Sequence, residues 1–155
     1  MEKLKFYILL LIVSGCYSLD TTEDIDKYVS YIDNRTDTTI KSKSFDTPNS
    51  DRKSFGKTEI SELRTNRSDI VRISVNIDLK ELKAKYKFYY NLDVLVYCEI
   101  TESKNNGDWT LGNFSTDEIH YFKEGKSLKS YSKINQESNQ QRALILSKFY
   151  YLDNF

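Results

Sequence analysis

Hydrophobic positions along this chain follow three different spacings. Residues Phe6 to Val13 are an unbroken apolar run of eight. Then Ile25, Tyr28, Val29 and Ile32 fall at i, i+3, i+4 and i+7, which places them on one side of a helix predicted over Thr22 to Asn34. Thr21 or Thr22 can cap it, and Glu23 and Asp24 suit its positive N-terminal end. From Thr38 onward the period drops to two.

Val71, Ile73, Val75 and Ile77 alternate with Arg72, Ser74 and Asn76, the mark of a strand with one buried face. Leu82, Ala84, Tyr86, Phe88 and Tyr90 alternate with lysines, and the apolar run Leu92 to Ile100 returns after a turn near Asn91 to Asp93. Glu118 to Phe122 and Ser127 to Tyr131 flank Lys123-Glu124-Gly125-Lys126, where Gly125 supplies the positive φ of a hairpin loop. Thr39 to Phe45 is weaker and Glu59 to Arg64 a further candidate, with the only proline in the loop Asp46 to Asp51 between them. Gln136 to Leu152 closes the chain as a helix whose apolar stripe reads as Leu144, Ile145, Phe149 and Leu152. The expected class is α+β: an antiparallel meander of about five to six strands, with the N-terminal and C-terminal helices packed together on its apolar face.

The first apolar run is too short for a membrane span, which needs about 20 residues. Lys3 and Lys5 precede it, and Val13-Ser14-Gly15-Cys16 follows. Charged start, apolar middle and small residues before a cut make a signal peptide. A cysteine directly after the small residues resembles the lipobox of bacterial lipoproteins, with Val13 where leucine is commonest. That resemblance implies acylation of Cys16, an anchor that needs no other membrane-binding surface. The organisation expected is therefore signal peptide 1–15, acylated cysteine and tether 16–21, and one α+β domain 22–155. The location expected is the bacterial envelope, lipid-anchored. Tyr17 in place of the aspartate that retains lipoproteins at the inner membrane favours the outer membrane. The triplets at Asn34, Asn66 and Asn113 would be glycan acceptors only in a eukaryotic secretory route.

Composition adds exclusions. Lys and Arg together number 23, as do Asp and Glu, so no net field draws nucleic acid to the chain. With Cys16 acylated, Cys98 is the remaining thiol and no internal disulfide can form. Cys98 reads as a small buried hydrophobe on the strand face of Val94, Val96 and Ile100. One histidine, His120, and one free cysteine cannot build a zinc cage, and no loop carries acids at calcium spacing. No Gly-x-Ser-x-Gly turn or glycine-rich phosphate loop is present. Catalytic residues, metal and cofactor are accordingly expected to be none.

The segment Tyr121-Phe122-Lys123-Glu124-Gly125-Lys126-Ser127-Leu128, set between meandering strands and a closing helix, resembles small uncharacterised lipoproteins of Bacteroidota. The resemblance implies an antiparallel sheet with flanking helices and no catalytic residues. Aromatic content is high, with 12 Tyr, 8 Phe and 1 Trp. Because neighbouring strand residues face opposite ways, some of these rings are expected to be exposed, and Tyr89, Tyr97 and Trp109 are the candidate surface for a protein or glycan partner. The function expected is non-enzymatic binding or a structural role at the envelope. The alternatives are a periplasmic immunity or inhibitor protein against a toxin and, behind it, an envelope hydrolase using His120 or an acid pair in a cleft under the closing helix.

Overall fold

The computed structural model describes residues 19–104, 114–131 and 136–152. The leader, Cys16 and Trp109 lie outside the described residues. The elements in order are α1 (Thr22–Asp33), β1 (Thr38–Pro48), β2 (Phe55–Thr65), β3 (Ile70–Asp78), β4 (Leu82–Asn91), β5 (Val94–Lys104), β6 (Phe114–Lys123), β7 (Lys126–Tyr131) and α2 (Gln136–Leu152). All seven strands form one antiparallel sheet in sequence order. The strand count exceeds the expected five to six because the two weakly patterned segments, 38–48 and 55–65, are full members. β1 is the sheet edge and is exposed along most of its length, so it has no buried side to impose a strong hydrophobic alternation.

The two helices do not share a face. α1 covers a cluster of Leu63, Val71, Tyr89, Val96, Tyr97 and Tyr121 with Ile25 and Ile32. α2 covers Ile60, Ile73, Val75, Tyr86, Phe88, Tyr90, Leu95, Cys98, Ile100 and Phe122 with Ala143 and Tyr150. In β4 plain alternation serves both faces, with Phe88 and Tyr90 toward α2 and Tyr89 toward α1, whereas in β5 the alternation is interrupted. Tyr89 pairs with Tyr97 but Tyr90 pairs with Leu95, leaving Val96 as an extra residue. That bulge turns Val96 and Tyr97 both toward α1, while Leu95 and Cys98 face α2. Cys98 is buried beside Ile100, but Val96 is not on its face as the plain alternation implied. Val71 is the corresponding extra residue of β3, since Leu63 pairs with Arg72 and Arg64 with Ile70. It too faces α1, whereas Ile73 and Val75 face α2.

Thr21 caps α1: its hydroxyl oxygen accepts from the Asp24 amide at 3.2 Å and donates to the Asp24 carboxylate at 2.6 Å. Twelve residues are too few for a stable isolated helix, so α1 depends on burying Ile25 and Ile32, each worth about 1.5–3 kcal/mol. α2 corrects the expected stripe. Among its described side chains the buried ones are Asn139, Ala143, Ser147 and Tyr150; of the expected stripe Leu144 packs partly against the core, whereas Ile145, Phe149 and Leu152 are exposed. The reason lies beneath it, where part of the sheet face is polar and is matched by small and polar helix residues.

The β4–β5 and β6–β7 turns are tight two-residue loops with positive φ at both central residues: Leu92 (49°) and Asp93 (63°), Glu124 (52°) and Gly125 (75°). Gly125 is where the sequence placed it. Leu92 is the anomaly, a branched side chain in the left-handed region that is 88% exposed and gains no packing. Leu92→Asn should therefore raise stability by about 1 kcal/mol, read as a higher urea midpoint at unchanged slope. No gain would mean that the turn is not held in this conformation.

Candidate functional site

The densest polar cluster lies on the α2 face of the sheet. Strand register places Cys98, His120 and Ser130 on one rung, Ile100 and Glu118 on the next, and Glu102 and Thr116 on the third. The His120 ring stands between two partners, with Nδ1 2.8 Å from Ser130 Oγ and Nε2 3.1 Å from Glu118 Oε2. Thr116 Oγ1 donates to Glu118 Oε1 at 3.1 Å. Tyr86 donates to Glu102 Oε1 at 2.5 Å, and Arg142 of α2 reaches the same oxygen. The Arg142 guanidinium also stands 3.8 Å from Glu118 Oε1, so one cation serves two carboxylates.

A hydroxyl, an imidazole and a carboxylate in line are the parts of a nucleophile–base–acid relay. Burial decides what these can do. His120 and Glu118 are essentially sealed, Ser130 is buried, and the helix lies over them. The surface recesses described below are lined by other residues and do not open on Ser130. Cys98, on the same rung, is no better a nucleophile: burial pushes its thiol pKa up, and the negative charges of Glu118 and Glu99 push it the same way. Among the described residues no group of His, Cys, Asp or Glu could hold a metal ion. In this closed arrangement the cluster satisfies buried charges and fixes α2 to the sheet.

Tyr89 and Tyr97 are not a surface, which corrects the expectation. Both rings are buried beneath α1, Tyr89 completely and Tyr97 to within 5%. They stack edge to face at 5.5 Å, and Tyr97 meets Tyr121 in the same way at 5.1 Å. The helix holds this row by its acids: Tyr89 OH donates to Asp33 at 2.9 Å and Tyr121 OH to Asp26 at 2.9 Å. Arg72, on the rung of Tyr89, pairs with Asp33 at 2.5 Å. The signal was legible in principle. Asp26 and Asp33 lie two helical turns apart beside the apolar stripe, at its solvent-exposed border, where each reaches a phenol at the rim of the buried row.

α1 covers only the hairpin half of its face. The other half is open and polar, with cross-strand rows of Ser42, Ser61, Ser74 and Lys87 and of Ser44, Glu59, Asn76 and Lys85. Small serines beside long lysines leave a furrow of about 550 Å³. A second recess of about 400 Å³ shares Asn76 and Lys85 and continues it toward Thr101 and Ser103. Lys87 pairs with Glu99 at 3.2 Å and Lys57 with Glu59 at 2.6 Å, so the walls carry both signs of charge. Sequence reasoning missed this site because serines on the solvent face of a strand look like filler. Comparison with protein-family models, with curated proteins and with solved structures found no match.

Two outcomes test these assignments. Arg142→Met leaves Glu102 and Glu118 without their shared cation; given that Arg142 is partly exposed, the loss of stability should be about 2 kcal/mol. The same change should cost clearly less in a Glu102→Gln background, and equal costs would remove the coupling. Burial, followed by neighbouring carboxylates, raises Tyr121 to about 12, and burial first raises Tyr28 and Tyr151 to about 12. Tyr86, Tyr89, Tyr90 and Tyr97 are raised in the same direction, again mainly by burial. The unfolded chain ionises near pH 10 while the folded one holds its protons, so this stability is complete below pH 10 and falls as pH climbs toward 12. Tyrosinate absorbance and loss of circular dichroism should rise together there. Ionisation of these buried tyrosines with native dichroism, beyond what the exposed Tyr31 and Tyr131 can contribute, would contradict it.

Proposed function

We propose that this chain is a lipid-anchored protein of the bacterial envelope, held on the outer membrane through acylated Cys16, whose folded part binds another protein without catalysing a reaction. The anchor reading is supported by Lys3 and Lys5, the apolar run Phe6 to Val13 and the small residues before Cys16.

The observation that carries the binding reading is the contrast between the two polar regions of the sheet. The one set with relay chemistry, Ser130-His120-Glu118, is enclosed, whereas the serine furrow is open and large enough to take an extended segment of a partner. Its hydroxyls, the Asn76 amide and charges of both signs match a polypeptide better than a single-sign polymer. Among the described residues the serines, lysines, Glu59 and Asn76 that dominate its lining offer hydrogen bonds and charge rather than a flat ring for a sugar to stack on. β1, the unpaired sheet edge, contributes Ser42 and Ser44 to the same furrow, so backbone hydrogen bonding by an added strand is available beside it.

The test uses the full chain recovered from native envelopes. Mass analysis should find Cys16 as an acylated N-terminal residue; an unmodified thiol or an intact leader would contradict the anchor. Ser61→Arg and Ser74→Arg together fill the furrow on the solvent side and should lower recovery of a co-purifying protein at least ten-fold with circular dichroism unchanged. Undiminished recovery would contradict the furrow as the binding site.

A further inference from the structure

The meander brings several features to one end of the molecule. The β2–β3 turn at 66–69, the Leu92-Asp93 turn and the Glu124-Gly125 turn all lie at the same end of the sheet. α2 delivers its C-terminus there, fixed by Tyr151 OH donating to Asp93 at 2.5 Å. The chain also enters the fold there: Asp20 pairs with Lys123, the last residue of β6, at 2.5 Å, and Leu19 packs against the cluster under α1.

Three peptide units separate Cys16 from Leu19, and an extended chain covers at most about 3.6 Å per residue, so Cys16 lies within about 11 Å of Leu19. A domain held that closely cannot tumble freely above a bilayer. It must present this end to it. The same end exposes Leu92 and Leu152, at 88% and 77%, with Val94 and Phe149 beside them in their elements and also exposed. Leu92 holds a backbone conformation that favours asparagine or glycine, without any packing in return.

We propose that this hairpin end seats on the lipid surface, with Leu92 and Leu152 entering the headgroup region. The proposal rests on the anchor reading of Cys16 and names what that anchor positions. The bilayer is the occupant because it is the one surface that a three-residue tether forces against these side chains. Charges at this end are mixed: Arg67 and Asp69 stand in the β2–β3 turn, Asp93 beside Leu92, and Lys123 and Lys126 flank Glu124. The contact is therefore apolar and does not depend on anionic lipid. The open furrow, on the half of its face away from α1, is left clear of the membrane and faces sideways for a partner.

The experiment uses the acylated full chain in vesicles of phosphatidylethanolamine, with and without phosphatidylglycerol. A polarity-sensitive fluorophore is attached at Leu92→Cys or, as a control at the opposite end of the sheet, at Asp51→Cys. Cys98 is buried and does not compete for label. Emission from position 92 should shift to the blue and be quenched by nitroxide-bearing lipids at least three-fold more than emission from position 51, in both lipid mixtures. Protein that floats with the vesicles but shows equal quenching at the two positions would overturn the seating while leaving the anchor intact. Protein with an unmodified Cys16 that fails to float would overturn both.

Discussion

A strand that alternates apolar with polar residues can offer a core to only one layer, and this fold depends on making the hairpin half of its sheet apolar on both faces. The extra residues Val71 and Val96 shift the hairpin half of β3 and β5 by one position, so that the consecutive Val96 and Tyr97 face the same helix while Leu95 and Cys98 face the other. Without the bulge at Val96, Tyr97 and Leu95 would share a face, and the row Tyr89-Tyr97-Tyr121 that seats α1 could not form beside the core that seats α2. The bulged half of the sheet is buried on both sides. The regular half is buried on one side only, and it is there that the serine furrow lies open.

The two helices are held by different chemistry. α1 uses a narrow apolar stripe reinforced by carboxylates that receive phenol hydrogens and the Arg72 guanidinium. α2 rests partly on a polar floor, where Arg142 joins Glu102 and Glu118, and Tyr90 OH donates to the Ser147 carbonyl at 3.1 Å. Buried charges of this kind add little net stability over an apolar packing but penalise any other register of the helix. They also account for the relay-like line of Ser130, His120 and Glu118, whose groups are satisfied by one another and by the helix above.

Much of the fold was legible because local spacing and tertiary burial agreed. The capped helix at Thr22, the hairpin turn at Gly125 and the strand through Ile73 and Val75 are instances. What could not be read has a common cause: it depends on residues far apart in sequence. A bulge leaves no mark on periodicity until the partner strand fixes its register, so Val96 was assigned to the face of Cys98. Ile145, Phe149 and Leu152 form a better apolar stripe than Asn139, Ala143 and Ser147, yet the polar sheet beneath selects the latter. Tyr89 and Tyr97 looked like surplus aromatics because the helix that covers them, with Asp33 accepting from Tyr89, lies more than fifty residues away. The cation that Glu118 and Glu102 share, Arg142, likewise comes from a helix more than twenty residues beyond them.

The two-sided sheet is tested most directly by nuclear Overhauser contacts of the Leu95 and Val96 methyl groups in the full chain. Val96 should show contacts to the cluster under α1, including Tyr89 and Tyr121, while Leu95 shows contacts to Phe122 and the α2 side. Contacts from Val96 to the neighbours of Cys98, with none to the α1 cluster, would mean unbroken alternation and would contradict the arrangement of both helices.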